Sequence, residues 1–268
     1  MSAIKREERI GGQLLILGDC LEVMKELGRF DAVVTDPPYG TTACKWDAVI
    51  PFAPMWEQVW RVLKPNGAAV FTASQPFTSA LVMSNADHFR YCWVWDKRRP
   101  SNPMLAKKQC LKVHEDICVF YRKLGAYNPQ GVFKTDGKPR GGVKPSKTEL
   151  GFGAGLTKDY AQTHSGYPKS IVTCGTDNSK NVHPTQKPVA LMEYLIRTYT
   201  NEGETVLDFT MGSGTTLVAC QKMGRNGTGI ELDPEYFDIA CKRVEVTASQ
   251  PDMFVSAPEA KPIQEALF

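Results

Sequence analysis

The chain has 268 residues, 42% hydrophobic and 23% charged, with a formal net charge of +3. That is enough for one large or two small domains around a substantial core. No apolar run approaches the ~18 residues of a membrane span, and the charged start Met1–Arg9 holds no signal-peptide core, so a cytoplasmic protein is expected. Eight cysteines without a Cys-x-x-Cys pair and four scattered histidines argue against a zinc site or a disulfide framework, and no metal is expected.

The net charge conceals an asymmetry. Residues 97–182 carry sixteen Lys/Arg against six Asp/Glu, a balance of +10 that leaves −7 for the rest. A basic insert on an acidic body suggests a polyanion partner, although a solvated lysine-rich face would give the same count.

In chain order, Gln13–Leu17 reads as a buried strand, followed by a helix with Leu21, Met24 and Leu27 at helical spacing. The strand Asp31–Thr35 then runs into Asp36, Pro37, Pro38, Tyr39 and Gly40. Residues before proline are pushed out of the helical region, so this loop is stiff and extended. It presents the Asp36 carboxylate and a backbone carbonyl beside the Tyr39 ring. Two acceptors and an aromatic face suit an exocyclic amine on a flat heteroaromatic ring; a strand ending in a proline-rich turn is the plainer alternative.

A helix over Phe52–Leu63, a turn at Lys64–Gly67 and a strand over Ala68–Ala73 continue the alternation, which implies a parallel sheet with crossover helices. Pro76–Asn85 is a helix, and Arg90–Asp96 and Glu115–Tyr121 are strands joined by a basic loop. From Arg122 to Val182 glycine, lysine, proline and threonine dominate, with isolated aromatics at Tyr127, Phe133, Phe152, Tyr160 and Tyr167. Both a disordered insert and a loop-rich nucleic-acid-reading subdomain fit, and the spaced aromatics favour the second.

Regular structure resumes with a helix over Pro188–Thr200. The strand Thr205–Asp208 leads into the loop Phe209–Gly214 and a helix over Thr215–Met223; the strand Asn226–Glu231 and a helix over Pro234–Val246 follow, with a loose tail from Thr247. Strand, glycine loop, helix and strand with a terminal acid is how a doubly wound sheet binds a nucleoside. Gly212 and Gly214 let the backbone approach a ligand, and Glu231 lies 23 positions beyond Asp208, near the ~20 expected of a ribose acceptor. No lysine of a phosphate-binding loop is present.

Asp36-Pro37-Pro38-Tyr39, the Asp208–Thr216 segment and His183–Pro188 together resemble the S-adenosylmethionine-dependent amino-methyltransferases of DNA, and their order resembles the β-class. The resemblance implies an α/β fold, a Rossmann-like, doubly wound mixed sheet of seven strands (class I methyltransferase, permuted order) with a loop-rich basic insert. It divides the chain into a catalytic half (10–121), a target-recognition insert (122–182), a cofactor half (183–246) and a flexible tail (247–268). Asp36, Pro37, Pro38 and Tyr39 become catalytic. S-adenosylmethionine is implied as cofactor, its methionine part against Asp208, Phe209, Thr210, Gly212, Ser213, Gly214 and Thr215 and the turn containing His183, Pro184, Thr185 and Lys187, and its ribose on Glu231. The next strand of the sheet should come from the N-terminus, which makes Asp19 the partner of the adenine amino group; a helix N-cap is the other reading of Asp19.

The implied activity is methylation of adenine N6 in double-stranded DNA on a flipped-out base. Cytosine N4, a protein glutamine amide and an inactive nucleic-acid-binding subunit are the alternatives. A homodimer is a further expectation. The end of the chain, Gln264–Phe268, resembles peptides that dock to the bacterial sliding clamp, and folding back of Leu267 and Phe268 onto the protein's own surface is its competitor.

Overall fold

The computed structural model describes residues 2–41, 47–137, 139–140, 160–175 and 186–250. Contacts divide the chain into a main unit, residues 1–128 with 170–268, and a small unit, Pro129–Lys169.

The main unit begins with Arg6–Ile10 (β1) and Gln13–Leu17 (β2), then Cys20–Glu26 (α1), Phe30–Thr35 (β3), Phe52–Val62 (α2), Leu63–Ala73 (β4), Phe77–Ser84 (α3), Phe89–Asp96 (β5) and His114–Phe120 (β6). In the small unit, Phe133–Lys134 (β7) pairs with His164–Ser165 (β10), and Pro139–Arg140 (β8) with Tyr160–Ala161 (β9), both antiparallel. The main unit resumes with Ile171–Thr173 (β11), Val189–Tyr199 (α4), Thr205–Asp208 (β12), Thr215–Lys222 (α5), Asn226–Glu231 (β13) and Pro234–Ser249 (α6).

Its mixed sheet has the order β1-β2-β13-β12-β3-β4-β6-β5-β11. The seven strands expected from the sequence are all present. Two edge strands are added: β1, antiparallel to β2, and β11, parallel to β5. The strand beside β13 is β2, parallel to it, so the N-terminus does supply the next strand. The expected turn at Lys64–Gly67 lies within β4, where the register against β3 jumps from Phe30↔Leu63 to Ala32↔Ala68. β11 also lies in the span expected as insert, yet it extends the main sheet.

Both faces of the sheet are covered, as crossover helices require. Alternation along β3 sends Val33 to one side with Phe71, Phe120 and Leu207 under α1, α2 and α3. Ala32 and Val34 go to the other with Val70, Val119 and Val206 under α4 and α5. Leu15, Leu217 and Phe237 join β2, α5 and α6. A side chain as deeply buried as Phe71 contributes about 1.5–3 kcal/mol, and Phe71→Ala would cost about 3–5 kcal/mol through the cavity left behind. Two of the helices start on a capping aspartate. Asp19 accepts from the Leu21 and Glu22 N–H groups to cap α1, and Asp233 caps α6 ahead of Pro234.

Candidate active site

The chain leaves β3 toward β4 on one side and β12 toward β13 on the other, so the carboxyl ends of the neighbouring strands β3 and β12 flank a topological switch point. That crevice is where open α/β sheets bind ligands. Thr35, the buried last residue of β3, joins its two sides. Its hydroxyl donates to Asp208 Oδ1 at 2.7 Å and accepts from the Thr210 hydroxyl at 2.7 Å.

On the β3 side, the Tyr39 hydroxyl lies 2.7 Å from Asp36 Oδ1 and 3.0 Å from Thr72 Oγ1, and the Thr72 hydroxyl also donates to Asp36 Oδ1. The Tyr39 ring stacks on Phe77 with centroids 5.2 Å apart. Lys187 Nζ donates to Asp36 Oδ2 at 2.8 Å, lies 3.4 Å from Glu115 Oε2, and stands 5.3 Å from the centre of the Tyr39 ring. Lys97 pairs with the other oxygen of Glu115 at 2.9 Å. Burial opposes the charge on Lys187, but Asp36 and Glu115 outweigh it and raise its pKa. Burial would likewise raise the Glu115 carboxyl, yet Lys187 and Lys97 bring it below the usual range. Tyr39 is held well above its ordinary value, first by burial and then by the Asp36 and Glu115 charges, so it stays a hydroxyl.

On the β12 side Asp208 is 3% exposed, and burial pushes its pKa up to about 6. The loop after it bends through Gly212 (φ 52°) and Gly214 (φ 78°), a conformation that L side chains resist. A Cβ on Gly212 would meet nothing within 4 Å, whereas one on Gly214 would come within 2.9 Å of Ala240 on α6. Gly212 therefore faces open space and Gly214 serves the packing of α5. Glu231 Oε2 accepts from Gly212 N at 2.9 Å and its Oε1 from Asp233 N at 2.8 Å. Burial raises the Glu231 carboxyl, opposed by these backbone N–H groups. Ser213 donates to Gln186 Oε1 at 3.3 Å, and Arg243 holds Ser213 Oγ at 2.8 Å and Thr215 Oγ1 at 3.1 Å.

Both sides open on a cavity of about 1390 Å³, lined by Asp36, Pro37, Pro38, Tyr39 and Lys187 and by Asp19, Asp208, Phe209, Thr210, Gly212, Ser213, Thr215 and Glu231. The structure thus gathers most of the residues singled out in the sequence. Gly214 is not among the lining residues, and His183, Pro184 and Thr185 lie outside the described residues. Lys187, expected on the methionine side, contacts the Asp36 carboxylate within the same cavity. Thr72, Glu115, Lys97 and Arg243 carry no sequence signal of their own; each is one polar residue in or beside a regular element. The glycine loop offers open backbone, and each Glu231 oxygen keeps a lone pair for a ribose diol, so the residues present fit a nucleoside cofactor.

A switch-point crevice joining an Asp-Pro-Pro-Tyr loop to a glycine loop and an acidic strand end defines a class I methyltransferase. The chain belongs to the N6/N4 DNA methylase family, whose profile matches residues 30–242. It is similar to the Type II methyltransferase M.HpaI of Haemophilus parainfluenzae, 28% identical over 253 residues that cover 87% of this chain and 74% of that one. Among solved structures, the complex of M1.HpyAVI with S-adenosylmethionine is 25% identical with a TM-score of 0.60, covering 86% of this chain and 98% of that one. The cytosine-N4-specific PvuII DNA methyltransferase has a TM-score of 0.64 at 14% identity, over 93% of this chain and 92% of that one, a likeness of fold alone.

Proposed function

We propose that this DNA methyltransferase moves a methyl group from S-adenosylmethionine to adenine N6 of a flipped-out base in double-stranded DNA. The observation that carries the reading is the Asp36 carboxylate beside the Tyr39 ring in the cavity that also holds the glycine loop. When bound, the cofactor supplies an electrophilic methyl group. Asp36 already accepts from Thr72, Tyr39 and Lys187, and a carboxylate has about four acceptor sites. One site is left for an amine N–H, and the Pro37 carbonyl takes the other. Holding both N–H bonds favours a pyramidal nitrogen with its lone pair turned toward the methyl group, and position does most of the rest. The ammonium formed is acidic enough to lose its proton afterward, so Asp36 need not remove one first. Tyr39 stacks on the flipped base. Asp208, Phe209, Thr210, Ser213 and Thr215 bind the methionine part together with the sequence segment His183–Lys187, Glu231 binds the ribose, and Asp19 the adenine amino group beside its capping role.

In the same reading, span 122–182 reads the DNA target and the protein works in the cytoplasm as a homodimer; for Gln264–Phe268, outside the described residues, docking on the sliding clamp competes with folding back onto the protein's own surface. The membership in a family with Type II relatives supports a place in restriction-modification. Digestion of DNA methylated by the protein, with mass spectrometry of the nucleosides, tests the main assignment. N6-methyladenine is expected; N4-methylcytosine as the sole product would replace adenine by cytosine. Calorimetry with purified clamp, with and without residues 264–268, tests the docking.

A further inference from the structure

The segment between β5 and β6, residues 97–113, is built rather than loose. Lys97 N bonds Val113 O at 2.8 Å and Ser101 N bonds Lys112 O at 3.0 Å, closing its root like a hairpin. The Asn102 side chain accepts from Lys112 N at 2.7 Å, and a short 3-10 turn, Pro103–Leu105, forms the tip. The root lies in the catalytic cavity, where Lys97, Arg99, Ser101 and Lys112 are lining residues together with Asp36. The tip projects: Met104 is 93% exposed, and Leu105 is also exposed. The segment carries six Lys/Arg and no Asp/Glu.

What sets this arm apart is the pairing of two adjacent exposed apolar residues, Met104 and Leu105, with a wholly basic surround. It suits a polyanion with an apolar interior, which is what stacked bases inside a phosphate backbone present. Proteins that distort duplexes insert an apolar wedge such as methionine between base steps, and flipping a base leaves a gap that such a wedge can fill. The unbranched thioether of Met104 adapts to an irregular gap.

We infer that residues 97–113 form a DNA-penetrating arm, in which Met104 enters the stack vacated by the flipped base while Arg98, Arg99, Lys107 and Lys108 hold the flanking phosphates. The arm rests on the reading of a flipped base in duplex DNA, and it places a DNA contact outside the small unit Pro129–Lys169.

The test uses the full chain with p-benzoylphenylalanine replacing Met104, irradiated with duplex DNA that the wild-type protein methylates, alongside a Met104→Ala variant. A covalent adduct to DNA is expected, and Met104→Ala should lower the rate of duplex methylation roughly tenfold with cofactor affinity unchanged. Met83→Ala, at an exposed position on α3, should leave the rate as it is. Lys107→Ala with Lys108→Ala should reduce the salt dependence of DNA binding. A cross-link to a second protein chain instead of DNA, no DNA adduct, or an undiminished rate in Met104→Ala would overturn the inference while methylation by the wild type left the main reading standing. Absence of methyl transfer to duplex DNA by the wild type would remove both.

Discussion

Lys187 Nζ lies 2.8 Å from Asp36 Oδ2 although 151 positions separate the two residues. The lysine lies just ahead of α4 and the aspartate follows β3; the pair therefore ties the chain's late half to the loop that carries the reacting group. Lys187 is 7% exposed and also faces Glu115. Removing one partner of a buried pair strands the others, at a cost of about 3–5 kcal/mol. Lys187→Met should lower stability toward the bottom of that range, because Asp36 keeps some contact with water. Urea unfolding measures it, and Glu115→Gln added to Lys187→Met should restore part of the loss through coupling. Strict additivity of the two substitutions would mean the network has no energetic coupling.

Tyr39 offers a ring and a hydroxyl, and the two are separable. Tyr39→Phe keeps the stack on Phe77 and removes the contacts to Asp36 and Thr72. Stacking of a base on an aromatic ring is worth about 1–3 kcal/mol. Tyr39→Ala should therefore reduce kcat/KM for DNA by one to two orders of magnitude, and Tyr39→Phe by only a few-fold. Steady-state kinetics on methylatable DNA give the comparison; equal losses in both variants would assign the role to the hydroxyl.

What the sequence disclosed was local. The loop Asp36–Tyr39, the bend through Gly212 and the position of Glu231 each follow from a strand, its terminus and a turn residue within a few positions. The Lys187–Asp36 contact depends on which strands become neighbours, and no spacing encodes it. β11 is three residues long, too short for any period to register. β1 reads Arg-Glu-Glu-Arg-Ile, and its charged residues conceal an edge strand. Its signal was the Gly11-Gly12 dipeptide before β2, a hairpin turn, and Gly11 does adopt φ 60°.

Asp36 and Glu231 should fail differently when replaced. Asp36→Ala acts at the transferring centre and should abolish turnover while cofactor affinity stays nearly intact. Glu231 holds Gly212 N and Asp233 N as well as its proposed ribose contact, so Glu231→Ala should weaken cofactor binding and loosen the glycine loop. Calorimetry with S-adenosylmethionine separates the two, and the division of roles fails if both variants lose affinity equally.

Asp208 makes a pH-dependent prediction. Its carboxyl is raised from 3.8 to about 6 by burial, with the Asp36 charge adding to the effect and hydrogen bonds from Thr216, Thr35 and the Thr210 N–H opposing it. Between those two values the folded chain holds a proton that the unfolded chain has released. Stability therefore falls as pH rises across this window, and the favourable contribution is lost above about pH 6. Asp208→Asn keeps an oxygen for Thr35 and Thr210 and removes the ionisation. At pH 7.5 the variant should be more stable than wild type by up to about 3 kcal/mol, the 1.36 kcal/mol per pKa unit of linkage, and the gain should shrink toward zero near pH 4. The same substitution removes the charge proposed to face the cofactor's methionine part, so added stability should come with weaker cofactor binding. Urea unfolding at several pH values between 4 and 8 measures the first effect, and a stability difference that does not vary with pH would rule out Asp208 as its source.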